Sequence, residues 1–287
     1  MAVGFSAATR AASPVRWRRN AQFLTPDQTS LLREAFTKSL AVNDDRGYQY
    51  FAGVHGLPMP IGCSVAHGTP YFLPWHRAYL YSFERSLMDL VPTATLPWWD
   101  WTVHTIPDIY TAENAPDNPL AGAPVDPRAL QQAKAGHPPV DLPAQTVRFP
   151  GQPGSPPLPT AQEVADLLEI TDFLDFTSQL ENLHNNVHVW TGGAGGDMYY
   201  IHLAAFDPIF WAHHAMVDRI WRIWQQQHSG ANPPADILDD ALPPFGLTVR
   251  QTLNVTTLGY DYAVTTASLE VDSAAADPAA AHATHSH

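Results

Sequence analysis

Apolar positions recur at helical spacing in four stretches of the chain. After Thr25-Pro26-Asp27-Gln28, the residues Leu31, Leu32, Ala35, Phe36 and Leu40 fall on one stripe. Thr25 reads as the N-cap, Pro26 as the first helical residue and Gln28 as the return half of a capping box. The stretch PYFLPWHRAYLYSFERSLMDLV, 70–91, predicts a second amphipathic helix. Pro74 falls in its first turn, where proline is tolerated. Residues 161–190 read as a third helical region and 207–227 as a fourth. Between them lie a glycine- and proline-bearing loop over 53–70 and a weakly periodic run over 105–160, read as a surface excursion. GGAGGD, 192–197, predicts a flexible turn, and the segment beyond about 240 a strand or two. The expected fold is mainly α: a four-helix bundle with long loops and a few short strands. No fixed-period repeat divides the chain. One domain is expected over 15–270, flanked by a flexible 1–14 and a disordered Ala/His-rich tail, 271–287.

Composition supports a buried core. Of 287 residues, 45% are hydrophobic and only 15% charged, and nine are tryptophan, an aromatic load that disordered chains lack. A net charge of −13 argues against nucleic acid and anionic membrane surfaces as partners. No apolar run reaches the roughly 18 residues of a membrane span. The N-terminus lacks a basic start followed by an apolar core, and no apolar stretch follows Arg18-Arg19. The cytoplasm is therefore the expected location, with export as a passenger on a signal-bearing partner the alternative. A single cysteine, Cys63, excludes an intramolecular disulfide.

Fourteen histidines change the picture, because ordinary usage gives roughly half that number. Three, His282, His285 and His287, stand in the tail. His184 and His188 are i and i+4, so one helical face carries both imidazoles. The sequence between them, H-N-N-V-H, lacks the glutamate of a zinc protease, which weakens a mononuclear zinc hydrolase reading. His67 and His76 are nine apart, one in a loop and one in an apolar helix where an unpaired imidazole is costly. His214 and Asp218 form another i, i+4 pair. A ligating imidazole usually donates its other N–H to a carboxylate or carbonyl, which makes Asp218 the expected acceptor for His214.

The stretches HGTPYFLPWHRAYLYSFE and HNNVHVW…DPIFWAHHAMVDRIWRIWQ resemble the two copper motifs of tyrosinases and related polyphenol oxidases, the type-3 copper proteins. Asp207, Pro208, Phe210, Trp211, His214 and Asp218 carry the second motif. The resemblance runs from about 15 to 262. It implies a helical bundle around two copper ions, with copper A held by His55, His67 and His76 and copper B by His184, His188 and His214. His213 is then the non-ligand neighbour. Six neutral imidazoles suit both copper oxidation states. The resemblance further implies dioxygen as co-substrate and small phenols as substrates: ortho-hydroxylation of monophenols and oxidation of o-diphenols to o-quinones. Glu181 and Asn185, beside the first copper B histidine, match residues thought in similar enzymes to orient a water that deprotonates the phenol.

Other readings stay open: a catechol or o-aminophenol oxidase without monophenolase activity, and a hemocyanin-like oxygen carrier. Cys63, four residues before His67, is a candidate for a thioether to that histidine, although C-S-V-A-H is not the usual C-x-H. Ile201, Ala204 and Ala205 stand where many relatives have Ser-Pro or Pro-Asn, and are expected at the substrate entrance. His104, His137, His202 and His228 lie outside the motifs and read as loop or satisfied polar residues. A copper-delivering partner protein is conceivable, and the segment after copper B is too short for the shielding domain of some relatives.

Overall fold

The computed structural model describes residues 15–59, 63–111 and 117–263. The expectations for 1–14, for 264–270 and for the tail 271–287 fall outside the described residues. The chain runs through β1 (Arg16–Arg18), α1 (Pro26–Leu40), α2 (Tyr48–His55), α3 (Phe72–Leu90), α4 (Pro127–Ala135), α5 (Ala161–Leu168), α6 (Phe173–Gly192), α7 (Ile209–Gln227), β2 (Ala241–Leu242), β3 (Leu247–Thr248), α8 (Val249–Thr252) and β4 (Tyr260–Tyr262). β1 pairs in parallel with β4, and β2 pairs antiparallel with β3. No helix among the described residues is long and apolar enough to cross a membrane.

Local chemistry accounts for the helix starts. Thr25 and Gln28 close a capping box, with Pro26 in the first turn of α1. The helical run over 161–190 is two helices rather than one. A second box, Thr160 with Glu163, opens α5, and the Asp172 side chain opens α6 by accepting from the Leu174 and Asp175 N–H groups. An N-cap at that position offers the backbone an alternative to continuing the helix.

The four long helices are α1, α3, α6 and α7, but α1 carries no histidine. It packs against α2 and α3, while α3 also contacts α6 and α7. The fourth histidine-bearing helix is the short α2, which occupies the start of the stretch expected to be loop. Phe51, Val54 and Tyr48 are buried on it, and the Tyr79 hydroxyl of α3 donates to the Phe51 carbonyl at 2.6 Å.

Large aromatic rings fill the space between these helices. Trp75, Trp99, Trp101, Trp211, Trp221 and Trp224 are all fully buried, and Trp211 stacks on Phe83 at 3.8 Å between centroids. The run over 105–160 is not a surface excursion. It contains α4 and buries Tyr110, Leu120, Val125, Ala129 and Leu158. Arg148 fastens it to the body through an ion pair with buried Asp207 at 2.7 Å and bonds to the carbonyls of Tyr110, Leu120 and Ala121. Alternating patterns are absent there because irregular backbone is satisfied by a side chain instead of by a helix or sheet. The GGAGGD turn is likewise packed. Gly193 has φ +58°, and a Cβ there would stand 2.4 Å from the Phe149 carbonyl oxygen.

Candidate metal centre

Six histidines converge where α2, α3, α6 and α7 meet. His55 is the last residue of α2, His67 follows in a short loop, and His76 lies in the second turn of α3. His184 and His188 share one face of α6, and His214 projects from α7. All but His67 are buried. Burial first, and neighbouring imidazoles second, push the pKa of His55, His76, His184 and His214 well below 6.5. Burial takes His188 down to about 3. These rings are therefore neutral at pH 7, the form a metal requires.

Five of the six have their Nδ1 atom occupied. His55 donates to the Ile201 carbonyl at 3.0 Å, His76 to the Phe72 carbonyl at 2.8 Å and His188 to the Met198 carbonyl at 2.9 Å. His67 Nδ1 meets Glu181 Oε1 at 2.8 Å, and His184 Nδ1 meets Asn185 Oδ1 at 3.2 Å. A neutral imidazole has one proton, so these bonds leave each Nε2 as a bare acceptor. The Nε2 atoms of His55, His67 and His76 are buried with no partner among the described residues. Those of His184 and His188 approach His214 Nε2 at 3.3 and 3.4 Å. Neutral His214 has one proton, so at most one of these two contacts is a hydrogen bond. A buried acceptor without a donor costs about 1–3 kcal/mol. Several such lone pairs facing one another fit metal ions and nothing else in the protein's own inventory.

The rings divide into two sets. His184, His188 and His214 bring their nitrogens together, with His213 within the same group of atoms. His55 is grouped with His67 and Cys63, and again with His76 and His214. His214 thus borders both sets. Its ring lies parallel to His76 at 4.5 Å and 14°. Lone pairs lie in the ring plane, so two parallel stacked imidazoles aim alongside each other rather than at one point. His76 and His214 therefore suit different ions. By the same geometry His213, stacked on His184 at 4.9 Å and 19°, is poorly placed to share that ion. Both nitrogens of buried His213 lack a partner among the described residues.

A sequence profile for the common central domain of tyrosinase matches residues 45–227, and all six histidines lie inside it. The chain belongs to the tyrosinase family. The tyrosinase of Streptomyces glaucescens is 32% identical over 266 residues, covering 79% of this chain and 92% of that one. The G-type hemocyanin units of Enteroctopus dofleini are also 32% identical, over 276 residues, but this chain spans only 9% of their length. Among solved structures, a functional unit of octopus hemocyanin superposes with a TM-score of 0.70 at 29% identity, covering 90% of this chain and 72% of that one. Mushroom tyrosinase, at 21% identity and a TM-score of 0.69, shares the fold over 88% of this chain and 91% of its own. Histidine sets fit for two coppers and family membership agree.

The remaining expected residues are placed unequally. Glu181 accepts from His67 Nδ1 through Oε1 and from the Gly68 N–H, and so orients that imidazole. Asn185 is exposed and fixes His184. Asp218 does not accept from His214. Its carboxylate is taken by Arg77, Arg18 and the hydroxyls of Tyr260 and Tyr262, and His214 Nδ1 has no partner among the described residues. Spacing at i, i+4 put the two side chains on one face, but two buried arginines outcompete a neutral imidazole for the carboxylate. Cys63 is buried with its Sγ 3.7 Å from His55 Nδ1, and a His67 nitrogen lies within 4.8 Å of that sulfur. Burial pushes this thiol up to about 12, away from thiolate chemistry.

Ala204 and Ala205 are buried against α2, whereas Ile201 is partly exposed. His228 donates from Nε2 to the Leu168 carbonyl at 2.7 Å, and His104 caps a short turn at φ +58°. His137 and His202 are exposed and line one surface cavity that none of the six lines. The carbonyls of Met198 and Ile201 were missed by sequence reasoning, because a backbone acceptor has no residue-type signature.

Proposed function

We propose that the protein oxidises small phenols with dioxygen, hydroxylating monophenols at the ortho position and converting o-diphenols to o-quinones. The observation that carries this is the convergence of six histidines, five of them with a bare Nε2, beside a partly accessible rim. His67, at 14% side-chain exposure, and Glu181, at 12%, lie at that rim beside exposed Gly68 and Asn185. Two coppers held by His55, His67, His76 and by His184, His188, His214 supply dioxygen binding and two-electron redox chemistry. Per turnover, a monophenol and a dioxygen give an o-quinone and a water, while two o-diphenols and a dioxygen give two o-quinones and two waters.

The chain's own residues bind, orient and move protons. Phe210 packs at 4.2 Å on His214 and 4.7 Å on His55, and Phe72 at 4.9 Å on His76, so aromatic walls keep water from the interior of the centre. Glu181 holds His67 through Oε1. Its Oε2 accepts only from the Gly68 N–H among the described residues, which leaves a lone pair at the rim for a water or the phenolic proton. Asn185, itself exposed, holds His184 through Oδ1.

A hemocyanin-like oxygen carrier is the second reading, favoured by the 32% identity to octopus hemocyanin units. Copper analysis followed by initial rates on tyrosine and catechol separates the two. Two coppers per chain with quinone formation from both substrates supports phenol oxidation. Quinone from catechol alone reduces the function to that of a catechol oxidase. Reversible oxygen uptake with no quinone from either substrate gives the carrier.

A further inference from the structure

The segment Met198–His202 serves both histidine sets from its inner side. Met198 offers its carbonyl to His188 at 2.9 Å, and Ile201 offers its own to His55 at 3.0 Å. A third bond, from the Leu57 N–H to the His202 carbonyl at 3.0 Å, clamps the segment to the end of α2. The approach is close. A Cβ on Gly56 would stand 2.5 Å from His202 Cα and 2.6 Å from its carbonyl oxygen, so a larger residue would force the two apart. Bonds of this kind to a ligating histidine set its orientation and basicity.

The outer side of the same segment borders a cavity of about 510 Å³. Leu57, Val140, Tyr199, Tyr200, Ile201 and Leu203 line it with apolar and aromatic side chains. None of the six converging histidines lines it. The rings of Tyr199 and Tyr200 meet at 5.2 Å, and the Tyr199 and Ile201 side chains are 45% and 36% exposed. His137, His202 and Gln132 place hydrogen-bonding groups at its edge. Apolar and aromatic walls with a few polar groups, in a volume of roughly 300–1,000 Å³, describe a small-molecule site.

We propose that this cavity is a second binding site, for a small hydroxylated aromatic molecule, and that its occupancy alters copper retention through the Met198 and Ile201 carbonyls. A flat ring matches the tyrosine wall, and a hydroxyl matches the histidine and glutamine edge. A protein partner suits it less. Stable interfaces bury about 800 Å² per partner, whereas among the described residues Tyr199 and Ile201 are the only exposed large apolar side chains at this cavity. The coupling is reciprocal: a molecule that loosens the metals binds the copper-loaded chain less tightly than the metal-free one.

The test uses benzyl alcohol, whose hydroxyl is not on the ring and which phenol oxidation does not consume. It is titrated into the copper-loaded full chain by calorimetry, and copper release to an excess of chelator is timed with and without it. The expected result is one site, weakened about tenfold in Tyr199→Ala and in Ile201→Ser and indifferent to azide, which competes for the metals. Copper release should change about twofold or more in the parent and not in the variants. Both side chains are exposed, and a thermal melt checks that each variant folds; His137→Ala, in the facing loop, is a third variant with the same expected loss. No binding, or binding displaced by azide and insensitive to these variants, overturns the proposal. So does a dimer in sedimentation that Tyr199→Ala dissolves, since a second copy is then the occupant. Binding at the cavity without any effect on copper release overturns the coupling. Neither measurement involves turnover, so the result is independent of the phenol oxidase reading.

Discussion

At the scale of single residues, the adjacent pair His213 and His214 poses the sharpest choice. Both are fully buried in α7, and each brings a nitrogen near the histidines of α6. The ring planes decide between them. His214 directs Nε2 at the Nε2 atoms of His184 and His188, whereas His213 lies flat against His184. His214→Ala should therefore hold one copper per chain instead of two, and His213→Ala should hold two, as read by metal analysis after dialysis. One copper in both variants would make His213 a ligand. Glu181 allows a second test. It fixes the proton of His67 on Nδ1, and losing such a partner typically lowers metal affinity about 10–100-fold. Glu181→Gln keeps an acceptor but loses the charge, so copper affinity should fall by about tenfold, the lower end of that range. At saturating copper, a remaining loss that is larger for tyrosine than for catechol would assign Oε2 the proton-handling role. Equal loss on both substrates would leave Glu181 only the histidine to hold.

Between elements, the strongest tie is a buried charge network. Arg18 of β1 forms a two-bond pair with Glu84 of α3 and also reaches Asp218 of α7. Arg77 of α3 bonds Asp218 as well, and Tyr260 and Tyr262 of β4 donate to it. Burial opposes ionisation of Asp218, but Arg77 and Arg18 outweigh it and hold the carboxyl below its usual value. Two cations and two anions balance. Removing one leaves an uncompensated buried charge, which costs about 3–5 kcal/mol. Asp218→Asn should lower the unfolding free energy of the metal-free chain by that amount in urea titrations. At saturating copper it should still bind two ions, because His214 does not depend on it. Loss of one ion without loss of stability would restore Asp218 as a partner of His214. The same network shows where sequence reading stops. A capping box and an apolar stripe announced α1, and apolar stripes announced α3 and α7, since those signals are local. Two histidines at i, i+4 on one face of α6 were equally legible. The partner of Asp218 was not, because Arg18 lies 200 positions away and only the pairing of β1 with β4 brings it there. The short helix α2 escaped because flanking glycines and prolines masked eight helical residues whose stability comes from packing on α1 and α3.

For the molecule as a whole, gathering neutral imidazoles in one place makes stability depend on pH. His55, His76, His184, His188, His213 and His214 all have a pKa below 6.5 in the folded chain, chiefly through burial. In the unfolded chain each takes up a proton near pH 6.5. Below that pH the unfolded state binds more protons, so the stability present above it drains away as pH falls toward the folded values. For His188, with a folded pKa of about 3, acidification from pH 7 to pH 5 removes about 2 kcal/mol. Asp197 acts the other way. Burial raises its carboxyl to about 7, so the folded state keeps a proton that the unfolded state releases, and its contribution grows as pH falls from about 7 towards 3.8. One carboxyl opposes six imidazoles, and the imidazoles win. The metal-free chain should therefore melt at a lower temperature at pH 5 than at pH 7. Copper should raise the melting temperature most at pH 7 and progressively less toward pH 5, because protons and metal compete for the same nitrogens. Calorimetric melts of both forms across this range decide it. A metal-free melting temperature that rises on acidification would mean that these rings are not buried together as neutral bases, and the case for a metal centre would fall with it.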